Sequence, residues 1–242
     1  MASAFGELQS TSFGGISQSP FRTSYTVQPA RSDLPRVVEA QANHATKLIG
    51  NIALLFNNTN YSDAEIHIHD VVLPVHKTII CIQSDYFAKA FRAEFVEGDT
   101  GIITFKEGGG AAYWRVFEYL YTGDYAEKLS TDKFEDNNAL LIDPCVYALA
   151  DMFFLEDLKT LCVLKLQTKL KELWASDEFP TCIRKVYAST SHSNCNMRFA
   201  VLESATAHAH DLSAKEGFTD LLREGGDFTV EYVNALNRKH MR

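Results

Sequence analysis

The sequence predicts an α+β fold in which helix dominates and strand is confined to short central stretches. Three observations carry this. Ala64-Glu65-Ile66-His67-Ile68-His69 alternates apolar and polar without a break, which at a period of two puts Ala64, Ile66 and Ile68 on one face of a half-buried strand. Most other apolar residues recur at three- and four-residue intervals, the period of amphipathic helix. The 242 residues are 46% hydrophobic and 22% charged, a balance that suits one well-cored domain, a smaller helical annex and a tail.

Residues 1–42 are rich in Ser, Gln, Thr, Gly and Ala with few aliphatics. Such a segment buries too little apolar surface to offset its ordering entropy, so a disordered tail is expected. Its Phe5, Phe13, Phe21 and Tyr25 are either docking anchors or scattered aromatics without a role. From Thr46 to Phe56 the residues Leu48, Ile49, Ile52, Leu55 and Phe56 mark an amphipathic helix, broken by the polar run Asn57 to Ser62. After the alternating strand, Asp70 to Pro74 reads as a turn into a second strand with Val72 and Val75 near the core, giving a hairpin.

Helical spacing resumes over His76 to Ile82, and Ser84 is placed to cap the next helix with its hydroxyl. That helix carries Phe87, Phe91 and Phe95 at four-residue intervals, expected as core or as one wall of a groove. Gly101 to Phe105 gives a short strand, and Tyr113 to Tyr121 a helix with Trp114, Phe117, Leu120 and Tyr121 facing in, ended by Thr122-Gly123-Asp124. A polar loop from Glu127 to Asn138, expected to be mobile, leads to Asp143-Pro144, where an acidic cap and a proline in the first turn open another helix. Leu158, Leu161, Cys162, Leu166 and Leu170 line a long helix from Glu156 to about Trp174. Beyond it the chain is all helix, with apolar faces at Phe179, Cys182, Ile183, Val186 and Tyr187, at Met197, Val201, Ala205 and His208, and at Phe228, Tyr232, Val233 and Leu236.

The formal charge of −8 argues against nucleic acid, whose binding needs clustered Lys and Arg to neutralise phosphates. The five scattered cysteines contain no Cys-x-x-Cys pair and point to a reducing compartment, the cytoplasm or the nucleus. The N-terminus lacks a basic region followed by an apolar core, and no stretch approaches the ~18 apolar residues that span a bilayer, so neither secretion nor a membrane is expected. Gly108-Gly109-Gly110 is not followed by Lys-Ser/Thr and reads as a flexible turn rather than a phosphate loop. No Gly-x-Ser-x-Gly elbow is present, so no enzyme, no catalytic residue and no cofactor is expected. His67 and His69 project from one face of a strand with His76 nearby; without a Cys or carboxylate to complete a tetrahedral set, metal binding ranks below the protein-binding readings.

Five ordered blocks give the chain a family resemblance. Tyr61-Ser62-Asp63-Ala64-Glu65-Ile66, Leu73-Pro74-Val75-His76-Lys77, Ser84-Asp85-Tyr86-Phe87, Phe117 to Tyr125 and Leu149 to Lys159 resemble the BTB/POZ signature in order and spacing over residues 61 to about 165. The resemblance implies a BTB/POZ fold, a short β-sheet capped by a cluster of helices, over residues 43–165 with the leading helix included. Residues 166–242 are similar to the helical extension of standalone fungal BTB proteins. One departure is the hairpin turn, where His69-Asp70-Val71 stands in place of the family's frequent Gly-containing turn.

What the resemblance implies is protein binding: a homodimer or mixed dimer with another BTB protein, and in many members an adaptor that holds a substrate protein against a cullin ubiquitin-ligase scaffold. Phe95-Val96-Glu97 occupies the position of the cullin-contacting motif, with Phe95 as anchor and Glu97 as rim acceptor. Alternatively, Phe95 completes the core stripe and Glu97 is a solvated turn residue. Asp63 and Lys77 match the acid and base that flank the dimer-interface pocket, and the face of Leu48, Ile52 and Leu55 is a candidate dimer surface or closes the monomer's core. Two further readings stand beside the adaptor: a self-associating scaffold and a transcription-related BTB protein that reaches DNA through a partner. For an adaptor, the unknown substrate would fall to the helical extension, the loop from Glu127 to Asn138 or the tail.

Overall fold

The structure is a computed structural model that describes residues 34–135, 138–190 and 195–240. Helix α1 spans Leu34–Ala53. The disordered tail expected through residue 42 is therefore corrected: residues 34–42 are helical, and residues 1–33, with the four aromatics named above, lie outside the described residues. The missed signal is Val38, Ala42, Ala45, Ile49 and Ile52 at alternating four- and three-residue steps, a stripe diluted by its small alanines.

The strands β1 (Ala64–Ile68), β2 (Val71–Val75) and β3 (Ile102–Phe105) form a sheet of order β2-β1-β3, with β1 antiparallel to β2 and parallel to β3. Ala64, Ile66 and Ile68 are buried, as alternation requires. In β2 the expectation for Val72 fails. Val72 pairs with His67 and is 49% exposed, whereas Leu73 and Val75 are buried, since residues three apart on a strand cannot share a face. The hairpin turns through His69-Asp70, with His69 at φ 52, a conformation that usually falls to Gly.

Next come α2 (Lys77–Cys81), α3 (Asp85–Ala90) and α4 (Val96–Thr100). Ser84 caps α3, accepting from Phe87 N–H at 3.4 Å and donating to the Phe153 carbonyl at 2.8 Å. The stripe expected of Phe87, Phe91 and Phe95 is broken: α3 stops at Ala90, Phe87 is fully buried, and Phe95 immediately precedes α4 with 51% exposure. Helix α5 (Gly110–Thr122) is buried along most of its length and ends on Gly123 at φ 76.

The loop after α5, expected to be mobile, is pinned where it is described. Trp114 Nε1 donates to Ser130 Oγ at 3.3 Å, and Phe134 sits where a Cβ on Gly110 would meet its ring at 2.3 Å. Helix α6 (Ala139–Met152) starts four residues before the expected Asp143-Pro144, capped by Asn138, whose side chain accepts from Leu140 N–H. Asp143 is fully buried inside the helix, not a cap.

Helix α7 (Glu156–Leu173) runs without a break across residue 165. The extension continues with α8 (Phe179–Ser189), α9 (Asn196–Ala207), α10 (Ala209–Leu212), α11 (Glu216–Glu224) and α12 (Asp227–His240). Helix α8 packs on α6, and α9 on α7. Buried Arg198 knits the extension, donating from Nε to Thr190 Oγ1 at 2.8 Å and from Nη2 to the Thr190 carbonyl, pairing with Asp227 and Glu231, and lying 4.4 Å from the Tyr187 ring.

Candidate docking surface

The turn from Phe91 to Phe95 is built by backbone bonds and one close approach. Phe95 N–H donates to the Arg92 carbonyl at 3.0 Å, and the Phe95 carbonyl accepts from Gly98 and Asp99 N–H. Gly98 lies so close to the turn that a Cβ there would sit 1.9 Å from the Arg92 carbonyl oxygen. Gly101, at φ 70, closes α4 by donating to the Glu97 carbonyl at 2.9 Å. This frame presents Phe95 and Val96 outward, at 51% and 73% exposure, with Glu97 half-buried beside them. The Tyr86 hydroxyl is raised above its ordinary value by burial and then by the nearby Glu97 carboxylate. The alternative in which Phe95 completes the core stripe is therefore excluded by geometry.

The expected dimer residues divide. Leu48 is 51% exposed, while Ile52 and Leu55 are half-buried and pack on the core together with Phe56, whose ring lies 5.2 Å from Trp114. Asp63 is exposed, and its Oδ1 accepts from the backbone N–H of Lys77 at 2.7 Å, bonding a free amide at the start of α2. The half-buried Lys77 ammonium lies 5.0 Å from the centre of the Phe91 ring. Asp63 and Lys77 thus meet through a backbone amide.

The histidines are taken up by the fold. His67 Nε2 is 2.8 Å from Glu65 Oε2, and His69 Nε2 is 3.0 Å from the Gly108 carbonyl. His76 is buried, and its Nε2, facing the Asn60 carbonyl at 2.7 Å, must carry the proton because a carbonyl only accepts. Its Nδ1 then accepts from Tyr121 Oη, which itself accepts from His76 N–H, both at 2.9 Å. Among the described residues no group of three His, Cys, Asp or Glu is placed to hold a metal ion. Burial raises the thiols of Cys81, Cys145, Cys162 and Cys182, the last two to about 12, opposite to what a nucleophile needs.

The geometry is thus an α+β unit that offers apolar side chains on a hydrogen-bonded turn. The family model for the BTB/POZ domain matches residues 52–170. Residues 52–170 are a BTB/POZ domain. Among solved structures, the BTB domain of zebrafish PATZ1 is similar at 13% identity and a TM-score of 0.39, covering 50% of this chain and 89% of that one. The BTB domain of human Gigaxonin is similar at 23% identity and a TM-score of 0.37, covering 49% and 87%. A BTB/POZ domain is a protein–protein interaction module, and a helical region follows it here. No described helix is long and apolar enough to cross a membrane.

Sequence reasoning missed some outward apolar residues. Ile82, Met152 and Phe154 are all exposed. The signal available was Phe153-Phe154, adjacent aromatics of which a single helix face can bury only one.

Proposed function

We propose that this protein is a dimerising BTB adaptor that presents a substrate protein to a cullin ubiquitin-ligase scaffold in the cytoplasm or nucleus. The observation that carries the reading is the exposure of Phe95 and Val96 on a turn held by Gly98. A large ring left in water on a hydrogen-bonded turn suits burial by a partner, and such anchors typically contribute about 2 kcal/mol or more. Glu97, half-buried at the edge, serves as rim acceptor. Residues 43–165 act as the working unit in this reading.

Calorimetry of the full chain against the N-terminal region of its own host's BTB-binding cullin tests it, with Phe95→Ala and Glu97→Ala alongside. Micromolar or tighter binding, lost in a folded Phe95→Ala, is the expected result. Absence of binding by a folded wild type overturns the adaptor role.

A second reading, a self-associating scaffold, is favoured by the exposure of Leu48 and Ile49 on α1. Light scattering gives the mass: a dimer reduced to monomer by Leu48→Asp, with no cullin binding, selects the scaffold.

A further inference from the structure

We propose that Phe154 is a second apolar anchor for the partner segment that engages Phe95 and Val96, and that this segment carries Lys or Arg around its apolar contacts. The inference rests on the docking reading above and extends it to a part of the surface that the Phe95 motif does not include.

Phe154 stands where α6 ends. Its N–H donates to the Asp151 carbonyl at 3.2 Å and the next N–H, of Leu155, reaches back to the Ala150 carbonyl at 2.8 Å, the paired bonds of a Schellman ending. The residue at that position takes a left-handed conformation and is usually Gly. Here it is a phenylalanine at φ 59, so the fold carries backbone strain. Burial of the ring would offset the strain, but the ring is 59% exposed. A strained residue that gives nothing back to the core points to a role outside it.

The support under Phe154 connects it to the first anchor. Phe153 is fully buried, its carbonyl accepts from Ser84 Oγ, and its ring lies 5.0 Å from Tyr86 and 4.8 Å from Phe87. The α6–α7 junction is thereby fixed to the start of α3, and the Phe95 turn leaves from α3's other end. Six residues of helix span about 9 Å, so one docked segment can reach both. Tyr86, on α3, packs against Phe153 and is close enough to Glu97 for that carboxylate to raise its hydroxyl.

Charge identifies the rest of the partner. In the segments that carry these anchors Asp85, Glu94, Asp99 and Asp157 are exposed, against Lys89 and Arg92 and the half-buried Lys77 beside Phe91. Lys159 is already held by Asp151 at 2.7 Å and Glu156 at 3.2 Å. The rim is net acidic and favours a segment with basic flanks.

The test uses the full chain and the same cullin N-terminal region, with affinity measured at roughly 0.05 and 0.3 M salt and thermal stability measured alongside. Phe154→Gly is expected to hold or raise the melting temperature, because glycine adopts the left-handed conformation freely, while weakening binding by about tenfold or more. Phe154→Asn, which also tolerates that conformation, is expected to do the same. Wild-type binding is expected to weaken as salt rises. If Phe154→Gly binds as wild type while Phe95→Ala does not, the second anchor is overturned and the docking reading survives. If both Phe154 variants lose stability, the ring serves the fold and the proposal is likewise overturned. Salt-independent binding overturns the basic flanks, and no binding by wild type removes the docking reading itself.

Discussion

Asp143 lies fully buried inside α6, its Oδ1 accepting from Tyr125 Oη at 2.7 Å and its Oδ2 2.9 Å from Lys169 Nζ. Burial raises its carboxyl above the ordinary range, and Lys169 and the Tyr125 bond pull it back. A raised acid holds its proton more tightly when folded, so the stability it lends is fully present below its unfolded value and is lost as pH climbs through the folded value. Lys169→Met removes the main restraint and pushes the folded value higher. The variant is expected to lose about 3 kcal/mol at pH near 8 and to recover part of it as the pH is lowered and Asp143 takes up the proton that removes its need for a cation; urea unfolding at pH near 8 and near 5 measures both. A loss independent of pH would mean that the Lys169 stem, not its charge, matters. Tyr121→Phe is the companion case: it strips a hydroxyl that serves both Nδ1 and the backbone N–H of His76, and leaving two buried groups unpaired is expected to cost about 2 kcal/mol in the same assay. Neither role was legible in the sequence. Asp143 before Pro144 carries the marks of a helix start, and His76 read as a loose third imidazole beside His67 and His69, because a side chain's partner across 45 residues leaves no local pattern.

At the scale of elements, period and caps were legible where one face alone is buried. β1, α7 and α8 follow their apolar spacing, and Ser84 caps α3 as its position before an apolar run implies. Reading failed where two signals compete. The four-residue spacing of Phe87, Phe91 and Phe95 suggests one helix, yet the backbone turns after Ala90 because Gly98 lets α4 fold back against Arg92 and Ala93. Gly98→Ala puts a methyl into that contact and is expected to cost about 1–3 kcal/mol and to displace Phe95, so that under the adaptor role proposed above cullin affinity falls although the side chains of Phe95, Val96 and Glu97 are untouched. Unchanged affinity with lowered stability would separate the turn from the docking role. At α6 the Asp143-Pro144 signal competes with Asn138, and the cap prevails because Leu140 and Ile142 are buried only if the helix already exists there. Asn138→Ala is expected to lower stability by about 1 kcal/mol, read by thermal unfolding, whereas a helix that began at Asp143 would be indifferent to it.

From Ala64 to Tyr232 nearly all the buried apolar residues form one connected cluster, although the family match ends at residue 170. Helix α8 buries Phe179, Cys182, Ile183 and Val186, and it packs on α6; α9 buries Met197 and Val201, and it packs on α7. The amphipathic faces of the extension were legible, but their partners were not, since an apolar stripe says that a helix is covered and not by what. The consequence is that the extension closes the core of the BTB/POZ domain as much as it adds to it. A chain ended after Trp174 would leave the outer faces of α6 and α7 in water, and contiguous apolar surface of that kind drives association. Such a truncation is expected to aggregate, or to bind a hydrophobic dye and unfold with reduced cooperativity, while the same cut made before Phe228 removes α12 alone and leaves the α6–α8 and α7–α9 contacts in place. A truncation at Trp174 that stayed dispersed, bound no dye and melted as the full chain does would show that the two parts fold independently. The turn at Phe95 should survive either cut only to the extent that Phe153, whose ring packs on α3 from the α6–α7 junction, keeps its place, so under the adaptor role proposed above the cullin affinity of the two truncations measures how far the extension holds up that turn.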